Sequence, residues 1–373
     1  MVGCPAFAEQ PANTGIKKLR DIVIYKDDTF YCSFPSMVRR PGGELLVAFR
    51  RAPNRTPYGG HLSHSDANSY LMLTRSRDNG ETWTQPELLY AHPYGGSQDP
   101  CMVQLRDGNI ICSSYGWCLM PAGQSQLPDL AYNENYSFLG GYLLTSEDGG
   151  DHWNGPIYPP PTSGEKTLNV FGKPVPAYNR GAMCQGADGR LYWVVAKSAA
   201  SREPTSTHLM ISSDEGKSWA YSCPVAEDGK ISFNETSIYE TPKGDLVAFT
   251  RTEGMGDHTV TVRSTDHGKT FQKWQDAGFQ GHPHYALHLP DNRVLLVYGY
   301  RHEPFGVRAR VLDAECREMS GPEIILRSDG TNGDLGYPWA TMISKDRALV
   351  VYYFHTPQGI RYIAGSILEV AAH

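Results

Sequence analysis

The sequence predicts an all-β protein, a six-bladed β-propeller of four-stranded antiparallel blades. Three observations carry this. A turn of the form Ser-x-Asp-x-Gly-x-x-aromatic occurs four times: SRDNGETW from Ser76, SEDGGDHW from Ser146, SSDEGKSW from Ser212 and STDHGKTF from Ser264. A longer unit, two apolar runs around a polar turn, occurs six times. The 38 Gly, 26 Pro, 22 Tyr and 7 Trp among 373 residues suit a chain of many turns and few long helices.

Each part of the short turn has a physical reason. Asp accepts hydrogen bonds from nearby backbone amides, Gly tolerates positive φ, and the aromatic packs back onto the sheet. A fifth, worn copy is expected at Val311-Leu312-Asp313. The six hairpins are PSMVRRPGGELLVAFRR from Pro35, DPCMVQLRDGNIICSSY from Asp99, RGAMCQGADGRLYWVVAK from Arg180, NETSIYETPKGDLVAFTR from Asn234, GHPHYALHLPDNRVLLVYGYR from Gly281 and GYPWATMISKDRALVVYY from Gly336. Each reads as two antiparallel strands around a Gly-Gly, Asp-Gly, Lys-Gly, Asp-Asn or Lys-Asp turn. The Ser-x-Asp turns fall between hairpins, where a second hairpin completes each unit. Six units averaging about 62 residues fit propeller blades with sizeable loops. The C-terminal GIRYIAGSILEV is expected to supply an outer strand, pairing with the N-terminal KLRDIVIYK to close the ring. Residues 1–20 read as an N-terminal extension and 21–373 as one propeller domain.

Charge and composition narrow the function. The net charge is −6 and Lys and Arg form no basic run, which argues against nucleic acid as a partner. No stretch approaches the 18 or so apolar residues of a membrane span. The eight cysteines have no CxxC spacing, so neither a zinc site nor a redox motif is expected, and no cofactor is implied. The start, MVGCPAFAEQPAN, resembles the end of a secretory signal without its apolar segment. A periplasmic or secreted location is favoured, with a cytoplasmic one left open.

The two ends of a hairpin lie side by side, opposite its turn. Glu235 and Arg251, at the ends of the fourth hairpin, are therefore expected as neighbours. If all six first strands line the central channel, one rim gathers Arg50, Arg51, Asp99, Tyr115, Arg180, Lys197, His282, His284, Arg301, Tyr337 and His355. Arginine forks suit carboxylate or sulfate groups. Glu235 beside Tyr337 could withdraw the phenol proton and make a nucleophile suited to a negatively charged sugar. The loop RRAPNRTPYGGHLSHSDANSY, from Arg50, offers His61, His64 and Asp66. Asp66 is a candidate general acid if its surroundings raise its pKa, and His64 is its rival because histidine titrates near neutral pH. Plainer readings stand beside these. Glu235 and Arg251 could tie off a blade, Tyr337 could be a packing residue and Asp66 a turn former. His282 and His284, flanking Pro283, could be structural, and no third ligand has metal-binding spacing.

Four such turns on a six-blade pattern resemble the sialidase (neuraminidase) superfamily, where they are called Asp boxes or BNR repeats. The resemblance covers almost the whole chain. It implies that Tyr337 is the nucleophile, Glu235 its base and Asp66 the acid. Arg251 and Arg301 would hold an acidic group. Such enzymes begin blade one with Arg-Ile-Pro, whereas this chain has Ser33-Phe34-Pro35, with Arg50, Arg51 or Arg180 as substitutes. Asp99, His64, His282 and His284 complete the expected substrate-binding set. The implied function is an exo-acting, retaining glycoside hydrolase that releases a terminal acidic sugar from a glycan or glycoconjugate. The alternatives are a lyase of uronic-acid glycans with a Tyr or His base, and a non-catalytic carbohydrate-binding propeller.

Overall fold

A strand packed between two neighbouring sheets must be apolar on both faces. The second strand of nearly every hairpin meets that condition: Leu45–Phe49, Leu191–Val195, Leu246–Phe249, Val294–Tyr298 and Ala348–Phe354 are buried throughout. The computed structural model describes residues 14–59, 64–120, 130, 132–133, 135–197 and 203–371. Among these, six antiparallel sheets form, each a blade of a propeller.

Blade I contains, from the channel outward, Phe30–Arg39, Leu45–Pro53, Tyr70–Ser76 and Glu87–Tyr90. Blade II has its inner position split between Gly96–Ser97 and Cys101–Gln104, followed by Ile110–Leu119, Tyr136–Ser146 and Asn154–Ile157, with Tyr132–Asn133 as a short addition. Blade III runs Cys184–Gln185, Leu191–Lys197, Ser206–Ser212 and Ala220–Ala226. Blade IV runs Ser232–Glu240, Leu246–Glu253, His258–Ser264 and Gln275–Gln280. Blade V runs His284–His288, Val294–Tyr300, Gly306–Leu312 and Glu323–Arg327.

Blade VI closes the ring. Gly336–Met342, Arg347–His355 and Arg361–Val370 are completed by the N-terminal strand Ile16–Tyr25. That strand pairs antiparallel with the last one, from Ile16 opposite Val370 to Tyr25 opposite Ile363. It begins inside the segment read from sequence as an extension, because Ile16, Ile22 and Ile24 supply an inward face that the blade core needs. The C-terminal run is the third strand rather than the outermost. Six buried clusters sit at the six seams between blades. No helix among the described residues is long and apolar enough to cross a membrane.

The Ser-x-Asp turns lie between third and fourth strands, at the end of each blade opposite the hairpin ends. Their hydrogen bonds repeat closely. Ser76, Ser146, Ser212 and Ser264 each donate from Oγ to the Asp two positions on, at 2.8 Å in all four. The same hydroxyl oxygen accepts from the Gly amide four positions on, at 2.7 to 2.9 Å. The worn fifth copy keeps only the aspartate. Asp313 accepts from the amides of Glu315, Arg317 and Glu318, while Leu312 ends the strand where serine ends the others. Ser212 is buried, so Ser212→Ala would strand the Gly216 amide. The expected cost is about 1–3 kcal/mol of unfolding free energy, measured by urea denaturation. Ser213→Ala, outside this hydrogen-bond set, is the control expected to change little.

Candidate active site

Three inner strands break their ladder at equivalent points. Register shifts fall between Ser33 and Ser36 in blade I, Phe233 and Thr236 in blade IV, and Gly336 and Trp339 in blade VI. Such bulges re-aim side chains. Here they involve Phe34, Glu235 and Tyr337. Phe34 and Tyr337 have φ of 56° and 52°, a left-handed region rarely occupied by bulky residues. Each precedes a proline, which has no amide to give the ladder. The neighbouring Gly336, at φ 101°, is required: a Cβ there would lie 2.9 Å from the Gly299 Cα.

The bulges bring together residues 102 positions apart. Tyr337 Oη donates to Glu235 Oε1 at 2.5 Å. Arg251 Nη1 lies 2.9 Å from Glu235 Oε2, and Arg251 Nη2 lies 3.3 Å from Glu253 Oε1. Asn234 Nδ2 donates to the same Glu253 oxygen at 2.9 Å. Two more guanidiniums flank the phenol ring, Arg180 and Arg301, each 5.0 Å from its centroid. Arg301 Nη2 donates to the Leu335 carbonyl at 3.3 Å.

Electrostatics assign the proton to tyrosine. Burial pushes the Glu235 carboxyl upward, but the Arg251 charge, the Tyr337 hydrogen bond and the Arg301 charge outweigh it and hold Glu235 well below the usual range. Burial, then the Glu235 charge, raises the Tyr337 phenol. The resting pair is therefore a neutral phenol donating to a carboxylate.

Comparison with known proteins places the chain in a family. A family model described as a BNR repeat-like domain matches residues 130–347. The chain belongs to the BNR repeat-like domain family. Comparison with curated proteins gave no match. A crystal structure of a protein of unknown function from Dyadobacter fermentans DSM 18053 is 54% identical, with a TM-score of 0.93, covering 96% of this chain and 100% of that one. NanB sialidase from Streptococcus pneumoniae is 13% identical, with a TM-score of 0.66, covering 93% of this chain and 70% of that one. Trypanosoma rangeli sialidase is 13% identical, with a TM-score of 0.61, covering 91% of this chain and 55% of that one. At those identities the two sialidases share the fold with this BNR repeat-like protein.

The other expected site residues divide. In the BNR repeat-like fold Arg180 is fully enclosed. Its Nη1 donates to Cys101 Sγ at 3.1 Å, and its Nη2 donates to the carbonyls of Pro35 at 3.1 Å and Tyr337 at 3.3 Å. It thus ties the bulges of blades I and VI together beneath the site. Arg50 is buried, 5.5 Å from the Tyr31 ring, and interacts electrostatically with Asp99, Asp66 and Tyr115. Asp99 is buried and accepts from Tyr115 Oη at 3.1 Å. Burial raises its pKa, partly offset by Arg180. His282 is buried at the site's edge, with Nε2 3.3 Å from Asp257 Oδ1. His302 Nε2 approaches the other oxygen of that carboxylate at 3.1 Å.

Other expected residues are engaged away from the Tyr337–Glu235 pair. Arg51 lies on the opposite strand face from Arg50: alternation turns it toward blade VI, 4.4 Å from the Phe30 ring and beside Tyr25. His284 is locked inside the blade IV–V seam, Nε2 at 2.8 Å from Thr259 Oγ1, and burial pushes it down to about 3. Asp66 is not set up as an acid. Arg55 donates to both its oxygens, at 2.6 and 3.1 Å, and the Asn68 amide donates at 2.9 Å. Burial raises the Asp66 carboxyl, yet these bonds and the nearby guanidiniums bring it below the ordinary value. Lys197 and His355 also turn aside, Lys197 Nζ to the Ser163 carbonyl at 3.1 Å and His355 to a stack on Phe354. His61 lies outside the described residues.

Sequence reading missed Phe34 and the carboxylate Asp334. Asp334 Oδ1 accepts from Tyr31 Oη and Tyr353 Oη, both at 2.9 Å, and Arg361 Nε lies 3.0 Å from Oδ2. Their signal was local: Phe34-Pro35 and Tyr337-Pro338 share an aromatic-proline step, and Asp334 stands three residues before Tyr337. Arg180→Ala removes two charged hydrogen bonds at the base of the site. It is expected to cost about 3 kcal/mol in denaturant unfolding, with Arg180→Lys recovering only part because lysine has no fork.

Proposed function

We propose that this protein is an exo-acting glycoside hydrolase of the sialidase type, releasing a terminal acidic sugar with retention of configuration. The observation that carries this reading is the Tyr337–Glu235 contact of 2.5 Å with Arg251 and Arg301 alongside. In this reading Tyr337 Oη attacks the anomeric carbon while its proton passes to Glu235. A phenol paired with a carboxylate avoids the repulsion that a bare carboxylate nucleophile would meet from an acidic substrate.

The resting Glu235 is a weak base because Arg251 and Arg301 depress it. A substrate carboxylate settling on those two guanidiniums would offset their charge and raise the basicity of Glu235 as the sugar arrives. Binding of the correct substrate thereby activates the nucleophile. With Ser33 in blade I and Arg180 occupied by two carbonyls and a thiol, the acidic group falls to the guanidinium charges of Arg251 and Arg301. Sialic acid or a related sugar acid on a glycan or glycoconjugate fits that grip. Elimination is less well supported, since burial lowers the basicity of His282 and His284 is sealed in its seam against Thr259.

Turnover of aryl glycosides of sialic acid and related sugar acids tests the reading. Tyr337→Phe is expected to abolish it, and Glu235→Gln to lower kcat by roughly 10²–10⁴-fold, the usual span for a proton-transfer group. Undiminished turnover in Tyr337→Phe would overturn the proposal. So would a product carrying the ultraviolet absorbance of an unsaturated sugar.

A further inference from the structure

Hydrolysis of an unactivated glycoside also needs a proton for the leaving oxygen. Asp66 is a poor source: its side chain is 3% exposed and clamped by Arg55. His64, two residues earlier on the same loop, differs in each respect. Its side chain is 54% exposed. Its ring meets Phe34 edge-on, with centroids 5.3 Å apart, and Phe34 in turn meets Tyr337 at 4.7 Å. One aromatic ring therefore separates His64 from the proposed nucleophile.

The imidazole is also oriented. His64 Nε2 lies 2.8 Å from Tyr31 Oη and 3.4 Å from Asp334 Oδ1. Tyr31 donates its own proton to Asp334, so its oxygen is free to accept from His64 Nε2–H. That hydrogen bond fixes the tautomer and leaves Nδ1 as the exchangeable position. The charged and titratable groups around this histidine are Tyr31 on the blade I inner strand, Asp334 before blade VI, and Tyr353 and Arg361 behind Asp334. Asp99 faces it electrostatically from blade II. Asp334 is thus a half-buried hub that serves no part of the Tyr337 step, yet holds four side chains at the edge of that site.

We propose that His64, oriented by Tyr31 and Asp334, is the general acid–base of this site. The proposal rests on the hydrolase reading above. As Tyr337 Oη bonds to the anomeric carbon, the glycosidic C–O bond breaks and its electron pair goes to the leaving oxygen. That oxygen takes the proton from His64 Nδ1, while the Tyr337 proton goes to Glu235. In the second step neutral His64 takes a proton from water and the water oxygen bonds to the anomeric carbon. The bond to Tyr337 breaks, and the tyrosine oxygen recovers its proton from Glu235. Asp334 is a positioning residue that holds the Tyr31 hydroxyl and, through it, the imidazole.

The test compares two leaving groups on one sugar acid: fluoride, which needs little protonation, and an unactivated alkyl alcohol. His64→Gln is expected to lose roughly 10²–10⁴-fold in kcat/KM on the alkyl glycoside and to stay within a few-fold of wild type on the fluoride. Asp334→Asn, which loosens the hold on the imidazole, should show the same leaving-group split in smaller measure. Tyr337→Phe should lose both substrates, which separates the two proposals. Equal loss on both substrates, or on neither, in His64→Gln would overturn the proton role while leaving the nucleophile reading intact. Failure of the wild type on both would overturn the hydrolase reading and this one with it. An unchanged melting temperature in His64→Gln is the check that the fold is preserved.

Discussion

Glu235 is a largely enclosed carboxylate, 14% exposed, and its charge is tolerable there because two partners reach it from different blades. Arg251 comes from the second strand of its own blade, and Tyr337 comes from the blade that closes the ring. An unpartnered carboxylate in that position would be strongly disfavoured. Tyr337 stands on the inner strand of blade VI, the blade that the N-terminal strand completes by pairing with the last one. Ring closure therefore brings the two halves of the site together.

The same constraint accounts for the unusual backbone. Phe34 and Tyr337 occupy left-handed conformations that an isolated strand would avoid, so the surroundings must hold them there. Arg180 does much of this by bonding the carbonyls of both Pro35 and Tyr337. The rest comes from Phe34 packing against Tyr337 and Tyr353, and from Gly336, where a side chain would meet the Gly299 backbone. The strained residues thus sit where groups from four blades brace one another.

The fold was legible in the sequence because it rests on local patterns. Turn chemistry at four Ser-x-Asp positions and six apolar hairpins each follow from a dozen or so neighbouring residues. The pairing of Glu235 with Arg251 was legible too, since hairpin ends must meet. What the sequence concealed depended on phase and on other blades. Arg50 and Arg51 are adjacent, and only the strand's alternation decides which neighbouring blade each one faces. Asp66 looked like an available acid because Arg55, eleven residues away on an irregular loop, gave no periodic sign of reaching it. Asp334 escaped notice because its partners Tyr31, His64, Tyr353 and Arg361 are gathered from both ends of the chain by ring closure alone.

The most direct measurement is covalent trapping. A fluorinated sugar-acid fluoride, whose glycosyl-enzyme intermediate breaks down slowly, would be incubated with the intact protein and the labelled peptide sequenced by mass spectrometry. The account predicts a single sugar on the Tyr337 oxygen. A label on an aspartate or glutamate, or rapid turnover through no covalent species, would contradict it.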